Sequence, residues 1–293
     1  MAGKLYLVPT PIGNLGDISR RAAETLAAAD FIAAEDTRVT VKLLNHLELK
    51  KPMVTYHRHN CGTVGPAILR RLEEGESCAL VTDAGTPAIS DPGEDLVKLC
   101  AGNGVEVESI PGPCALTVAL SASGLPTGRF TFEGFLPLNK KNRRAQLDSL
   151  KAEERTMIFY EAPHKLCATL DDLAETFGTE RPMAVCRELT KLHEEILRLT
   201  IGEAVERCAN QEPRGEFVLV VAGCPPQIEV GDEAAAIARA EQLRREGMPL
   251  KQAAAQAAEE FGVKKRWVYN QITGKENGQV EMDASGVDAC SVP

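Results

Sequence analysis

The feature that most constrains the fold is a regular alternation of short apolar runs and helical patterns over roughly the first 110 residues. The apolar runs read KLYLVP, DFIAAE, MVTYH, CALVTD and VEVESIP. Apolar residues recur every three or four positions in the segments between them, which are 19–29, 39–46, 63–74 and 93–101. This strand–helix order predicts a mostly parallel sheet that is covered by helices on both faces.

The middle of the chain has a different pattern. The runs RFTFEGFLP, TMIFYEA, PMAVCREL, EEILRLT and EFVLVVAG read as strands with fewer helices between them. The last three lie close together in sequence, which favours a mixed sheet with antiparallel pairs. We therefore predict two α/β lobes, residues 1–113 and 114–228, with a ligand cleft between them.

The C-terminal part is rich in alanine and charged residues and is interrupted at Gly247-Met248-Pro249 and again at Gly262-Val263. These breaks predict three short helices with a helix-turn-helix outline, a helical appendage over 229–274. The polar tail 275–293 is predicted to be disordered.

Composition narrows the class of protein. Hydrophobic residues make up 44% of 293 residues, and no run of 18 apolar residues occurs, so we expect a soluble, cytoplasmic protein that is not in a membrane. The nine cysteines are odd in number and lack C-x-x-C spacing, so we expect reduced thiols, with Cys78 and Cys186 as small core residues, and no metal site. A net charge of −9 argues against indiscriminate nucleic-acid coating but not against a local basic face.

Three loops follow predicted strands and are stiff and sparsely charged. The first, VPTPIGNLGD, fits no glycine-rich phosphate motif, and its prolines remove two backbone donors that a phosphate would use. VTDAGTPAISDPG and SIPGPCALTVAL follow two further strands. Such strand ends suit a neutral or zwitterionic ligand that is bound by main-chain groups, although the first loop alone is equally well a plain tight turn.

Eight motifs carry a resemblance to a known family. They are LYLVPTPIGNLGDISRRA, AEDTR, LVTDAGTPAISDPG, PGPCALTVALSASGLP, FEGFLP, FYEAPH, RELTK and RGEFVLVVAG. Together they resemble the ribosomal RNA small subunit methyltransferase I family, within the tetrapyrrole-methylase-like, class III methyltransferases. The resemblance implies S-adenosylmethionine as cofactor in the interlobe cleft and methyl transfer to the ribose 2′-hydroxyl of a cytidine in the decoding region of 16S ribosomal RNA. It also implies a homodimer.

The resemblance also implies which residues bind the cofactor. Asp83 is expected to accept hydrogen bonds from the ribose hydroxyls or the ammonium group, or else to cap the following turn. Tyr160 and Leu189 would cover the adenosine, or they are core residues. The other expected cofactor-binding positions are Pro9, Thr10, Pro11, Gly85, Thr86, Cys114, Ala115, Gly215 and Glu216.

The RNA hydroxyl that accepts the methyl group would be helped by a base or a cation, and two groups of residues are candidates for this role. Asp36 would take the hydroxyl proton and Arg38 would hold a phosphate or a carboxylate, unless the two form an ion pair that caps the next helix. Glu161 and His164 come from the facing lobe. His164 is a candidate base because its usual pKa is near neutrality, but a helix N-terminal position without chemistry is the favoured alternative.

Three basic clusters are candidate RNA contacts, or simply solvated faces: Lys140/Lys141/Arg143/Arg144, His57/Arg58/His59 and Lys264/Lys265/Arg266 with Trp267. The expected partner is 16S ribosomal RNA in the small ribosomal subunit. Two other functions stay open, a methylase of a corrin-like macrocycle and a non-catalytic RNA-binding module. A macrocycle substrate would need neither the basic clusters nor the terminal helices.

Overall fold

A computed structural model describes residues 3–225 and 232–274, and the chain divides into two compact units at Pro225/Pro226. The first unit contains two five-stranded sheets, and the second is helical. No helix among the described residues is long and apolar enough to cross a membrane.

The first sheet is entirely parallel, with strand order β3-β2-β4-β1-β5. Its strands are β1 Lys4–Leu7, β2 Phe31–Ala34, β3 Met53–Thr55, β4 Cys78–Val81 and β5 Glu106–Ser109. The helices that connect them are α1 Arg20–Ala28, α2 Thr37–His46, α3 Cys61–Glu73 and α4 Glu94–Gly102. The predicted alternation of strands and helices is confirmed.

Both faces of this sheet are buried, as a parallel sheet requires. Phe31 and Leu80 pack toward Ile68 of α3, whereas Ile32 and Val81 on the opposite face pack with α1 and α2. The carboxyl ends of all five strands lie along one edge, so the loops that follow them gather there.

The second sheet is mixed, with order β6-β7-β10-β8-β9, and only β6 and β7 are parallel neighbours. The strands are β6 Phe130–Phe135, β7 Thr156–Glu161, β8 Pro182–Arg187, β9 Glu195–Thr200 and β10 Phe217–Val221. The accompanying helices are α5 Ala115–Ala122, α6 Lys140–Ser149, α7 Leu166–Phe177 and α8 Ile201–Asn210. The predicted mixed sheet with antiparallel pairs is confirmed.

One cysteine expectation is wrong. Cys78 and Cys186 are fully buried, as predicted, but Cys167 on α7 and Cys208 on α8 form a disulfide. These two residues are 41 positions apart, and their proximity is created by the packing of α7 against α8. Sequence spacing therefore gave no sign of the pair.

The second unit consists of α9 Glu233–Arg245, α10 Leu250–Glu260 and α11 Lys265–Thr273, which confirms the three short helices. Their core is built largely from alanines of α9 and α10, with Val268 of α11 fully buried. Small side chains allow close helix approach, and an Arg239–Glu260 ion pair of 2.9 Å links α9 to α10. The predicted disordered tail lies outside the described residues.

Candidate functional site

A cavity of about 570 Å³ lies between the two sheets of the first unit, within the size range of small-molecule sites. One wall is formed by the loops after β4 and β5, and the other by residues at the ends of β7, β8 and β10. Ten of the sixteen predicted site residues line it: Asp83, Gly85, Thr86, Cys114, Ala115, Tyr160, Glu161, His164, Leu189 and Glu216.

Hydrogen bonds hold the first wall together and join it to the second. The Thr86 hydroxyl donates to the Pro113 carbonyl at 2.9 Å, which joins the β4 and β5 loops. Across the cavity, the backbone N–H of Leu116 donates to the Tyr160 hydroxyl at 3.1 Å. The Tyr160 ring is thereby held in place, and the start of α5 is tied to β7.

The opening loop lies behind the cavity. Thr10 and Gly85 exchange two backbone hydrogen bonds of 3.0 Å, and the Thr10 hydroxyl donates to the Thr82 carbonyl at 3.1 Å. A Cβ atom placed on Gly112 would come within 2.7 Å of Pro9 Cβ, so the first and third loops are in close contact. Pro9, Thr10 and Pro11 therefore support the cavity wall, and Ile12 is the residue of this loop that lines it.

Asp36 and Arg38 also lie outside the cavity lining and are bound to each other. The Arg38 guanidinium is 2.6 Å from the Asp36 carboxylate, which also accepts the Arg38 backbone N–H at 2.8 Å and so caps α2. These bonds lower the pKa of Asp36 to about 2, so the carboxylate is a weak proton acceptor. This is the geometry of the capping ion pair that the sequence left open as the alternative.

The two residues of the facing lobe are placed differently from each other. Glu161 is buried, and its carboxylate accepts the Thr169 hydroxyl at 2.6 Å and the Ala162 backbone N–H at 2.9 Å. His164 is exposed in the short 3-10 turn Pro163–Lys165 that precedes α7. Only His164 of this pair is therefore open to solvent.

Leu189 is presented to the cavity by a strained turn. Its neighbours Glu188 and Thr190 both have left-handed backbones, with φ of 50° and 67°. The Glu188 carboxylate accepts the Glu216 backbone N–H at 2.9 Å and the Lys191 ammonium at 2.7 Å. Gly215 backs this turn, because a Cβ there would lie 2.5 Å from Glu188 Cγ. Residues held in such conformations are concentrated at functional sites.

Sequence reasoning assigned no role to Glu35, Asp91 or Phe135, which also line the cavity. Asp91 lies in the loop that follows β4, because α4 begins only at Glu94 and Gly93 is its N-cap. Glu35 and Asp91 follow β2 and β4, which are neighbours in the sheet. The rule that parallel strands gather their carboxyl ends at one edge was the available signal for both.

The cavity is acidic. Burial, together with the like charges of Glu35 and Asp83, raises the pKa of Asp91 to about 7. Burial also raises the pKa values of Glu35 and Asp83, and the charge of Arg58 partly opposes the effect at Glu35. None of the described residues that line the cavity is a lysine or an arginine. A phosphate-bearing ligand is disfavoured by this wall, whereas a cationic ligand is favoured.

Of the basic clusters, Arg143 and Arg144 are engaged within the protein. Both guanidinium groups contact the buried Asp172 carboxylate, at 2.6 and 3.1 Å. Lys140 and Lys141 at the start of α6 are exposed and make no ion pair within the described part of the chain. The free positive charge of this cluster is therefore at its N-terminal end.

Comparisons with known proteins identify the family of this chain. The tetrapyrrole (corrin/porphyrin) methylase family model matches residues 4–205, and the RsmI C-terminal HTH domain model matches 230–273. Proteins named ribosomal RNA small subunit methyltransferase I are 48% identical in both Synechocystis sp. and Escherichia coli O157:H7. The alignments cover 91% of this chain in each case and 96% and 93% of the two relatives.

Solved structures show the same fold at low identity. A cobalt precorrin-4 methyltransferase aligns with a TM-score of 0.58 and 18% identity over 75% of this chain and 94% of its own. Uroporphyrin-III C-methyltransferase from Thermus thermophilus, complexed with S-adenyl homocysteine, aligns with a TM-score of 0.54 and 18% identity over 75% and 97%. The chain therefore belongs to the tetrapyrrole methylases and, among them, to the ribosomal RNA small subunit methyltransferase I family.

Proposed function

We propose that this protein transfers the methyl group of S-adenosylmethionine to the ribose 2′-hydroxyl of a cytidine in the decoding region of 16S ribosomal RNA. The observation that carries the proposal is the acidic cavity, whose described lining residues include no lysine or arginine, in a chain 48% identical to proteins named ribosomal RNA small subunit methyltransferase I. Its carboxylates suit a donor that has a sulfonium and an ammonium group and no phosphate.

The cavity residues divide the binding of this cofactor between them. Asp83 accepts hydrogen bonds from hydroxyl or ammonium groups, and Gly85, Thr86, Cys114 and Ala115 offer main-chain contacts. Tyr160 and Leu189 provide apolar surface for the adenosine, with Gly215 and Glu216 at the start of β10. Asp83 lines both this cavity and a neighbouring hollow of about 220 Å³ beside Thr10 and Pro11. The cofactor supplies an activated methyl group, and the protein aligns it with the acceptor.

The acceptor hydroxyl loses a proton during the transfer, and the residues near the cavity differ in their ability to receive it. Asp36 is held ionised by Arg38, so its part is to position α2. Glu161 already accepts two hydrogen bonds and fixes the turn that carries His164. His164, exposed at the cavity, is the predicted base that is free to accept the proton.

A labelling experiment tests the proposal. The protein is incubated with tritiated S-adenosylmethionine and small ribosomal subunits from a strain that lacks this methylation, with fully modified subunits as the control. We expect label only in the unmodified RNA, and in a dinucleotide that resists alkali, because a 2′-O-methyl group blocks cleavage by the neighbouring hydroxyl. Label in a base, or transfer only to a cobalt-precorrin offered in parallel, would contradict it.

The proposal also covers the oligomeric state of the protein and the role of its helical appendage. We expect a homodimer that acts in the cytoplasm on the small ribosomal subunit, with the three terminal helices assisting RNA or subunit docking. Lys264, Lys265 and Arg266 are exposed at the start of α11, and Trp267 packs beside its alanine core. Light scattering of the purified protein measures its molecular mass in solution, and the mass of a monomer would contradict the proposed homodimer.

A further inference from the structure

An irregularity in β6 points an aromatic ring toward the cavity. Phe132 pairs with Ile158 of β7, but the next pairs are Gly134 with Phe159 and Phe135 with Tyr160, so β6 has one extra residue. In a regular strand, positions 132 and 135 would face opposite sides of the sheet. The bulge places both on the same side, and Gly134 allows the bend with a φ of +64°.

Both rings consequently contact Tyr160. The ring centroid of Phe132 is 4.9 Å from that of Tyr160, and the centroid of Phe135 is 5.5 Å away, each in an edge-to-face arrangement. Phe132 is largely covered, but Phe135 is 54% exposed and lines the cavity. The bulge therefore holds Phe135 at the cavity rim with about half of its surface in solvent, where a bound base can stack on the ring.

The charged residues that follow Phe135 in the chain indicate the chemistry of that partner. The chain continues from Phe135 through Leu138, which is 76% exposed, to Lys140 and Lys141. These two lysines are the unpaired cations of their cluster, since Arg143 and Arg144 bind Asp172. An exposed ring followed by two free cations matches a nucleotide, with a base to stack and phosphates to neutralise.

We propose that Phe135 is the stacking surface for the base of the methylated nucleotide when that nucleotide is turned out of the RNA. This inference rests on the proposed function and extends it from the cofactor to the acceptor. Proteins bind unstacked RNA bases on aromatic side chains, and phenylalanine stacks without hydrogen bonds, so Phe135 positions the nucleotide without reading its sequence. Lys140 and Lys141 hold the neighbouring phosphates.

The test compares substitutions that keep or remove the aromatic face. Phe135→Leu keeps an apolar side chain but cannot stack, Phe135→Trp restores the ring, and Phe130→Leu changes another exposed phenylalanine at the opposite end of the same strand. For each variant, kcat and KM are measured with unmodified small ribosomal subunits. Calorimetry measures the affinity for S-adenosylhomocysteine, and circular dichroism checks folding.

We expect Phe135→Leu to lower kcat/KM for the subunits about 5-fold to 150-fold, the range for loss of one base–aromatic stack. Phe135→Trp should restore at least half of the activity, Phe130→Leu should behave as the unmodified protein, and all variants should bind S-adenosylhomocysteine with unchanged affinity. If Phe135→Leu fails to fold, Phe135→Trp and Phe135→Met provide the same comparison.

Three results would overturn the inference: full activity of the leucine variant, failure of tryptophan to restore activity, or cofactor affinity that falls in step with the rate. The last result would make Phe135 a cover for the cofactor. If the unmodified protein labels no RNA, the proposed function fails and this inference fails with it. An active unmodified protein with an equally active leucine variant refutes the inference alone.

Discussion

Replacing Asp91 by asparagine is expected to stabilise the folded protein at pH 8 and to have little effect at pH 4. In the folded protein, burial and the nearby charges of Glu35 and Asp83 raise the pKa of Asp91 from 3.8 to about 7. The unfolded chain releases this proton near pH 4. Between these two values the folded state retains a proton that the unfolded state has lost, so the stability contributed by this residue falls as pH rises from about 4 to about 7 and is level above that.

The expected gain in folding stability follows from the difference of about three units between the folded and unfolded pKa values of Asp91. Each unit is worth about 1.4 kcal/mol, which gives an upper bound of about 4 kcal/mol. Water at the open side of the cavity screens part of this interaction, so we expect about 1–3 kcal/mol at pH 8. Asparagine has nearly the same shape, and the Asp91 carboxyl makes no side-chain hydrogen bond within the described part of the chain that the change would break.

The assay is urea unfolding at pH 4 and pH 8, followed by far-ultraviolet circular dichroism. The single tryptophan, Trp267, lies in the C-terminal unit, so its fluorescence would report on the wrong part of the molecule. Asp171→Asn, at an exposed position of α7, is the matched control for loss of one negative charge. Equal stability of Asp91→Asn and the unmodified protein at pH 8, or destabilisation at both pH values, would refute the reasoning.

Three further predictions concern the cofactor site, a glycine and the appendage. Asp83→Ala should weaken S-adenosylhomocysteine binding by about 1.5–3 kcal/mol in calorimetry, and unchanged affinity with intact folding would remove Asp83 from the site. Gly215→Ala should lower the free energy of unfolding by about 2–4 kcal/mol in thermal unfolding, because a left-handed backbone is combined there with a clash against Glu188. The control is Gly104→Ala, where φ is +72° and the space is open, and it should cost about 1–2 kcal/mol. Deleting 231–293 should leave cofactor binding intact and reduce RNA methylation; undiminished methylation would mean that the appendage has another purpose.

The sequence predicted those parts of the fold that depend on local periodicity. Alternating strands and helices predicted the parallel sheet, and closely spaced strands predicted the mixed one. The stiff loops after β4 and β5 were predicted at strand ends, and the family resemblance singled out Asp83 and Thr86 within the first of them; both line the cavity. Their chemical roles remain predictions.

What the sequence did not predict depends on contacts between distant segments. Phe135 faces the cavity only because β6 has one extra residue relative to β7, and strict alternation would have placed it on the other side. The pKa of Asp91 is raised because its carboxyl is buried and because Glu35, 56 positions earlier in the sequence, is brought close to it. The Cys167–Cys208 bond similarly requires α7 and α8 to be packed together.

Two backbone hydrogen bonds between Thr10 and Gly85 join the loop that follows β1 to the loop that follows β4. Because main-chain atoms form this link, replacing the Thr10 side chain leaves the bonds available, whereas a side chain at Gly85, where φ is +87°, would strain the backbone that makes them. The prolines on both sides of Thr10 restrict that path. The opening loop thus fixes the position of Gly85 by direct contact, and a molecule bound against Gly85 depends on the backbone path of Pro9, Thr10 and Pro11, which do not themselves line the cavity.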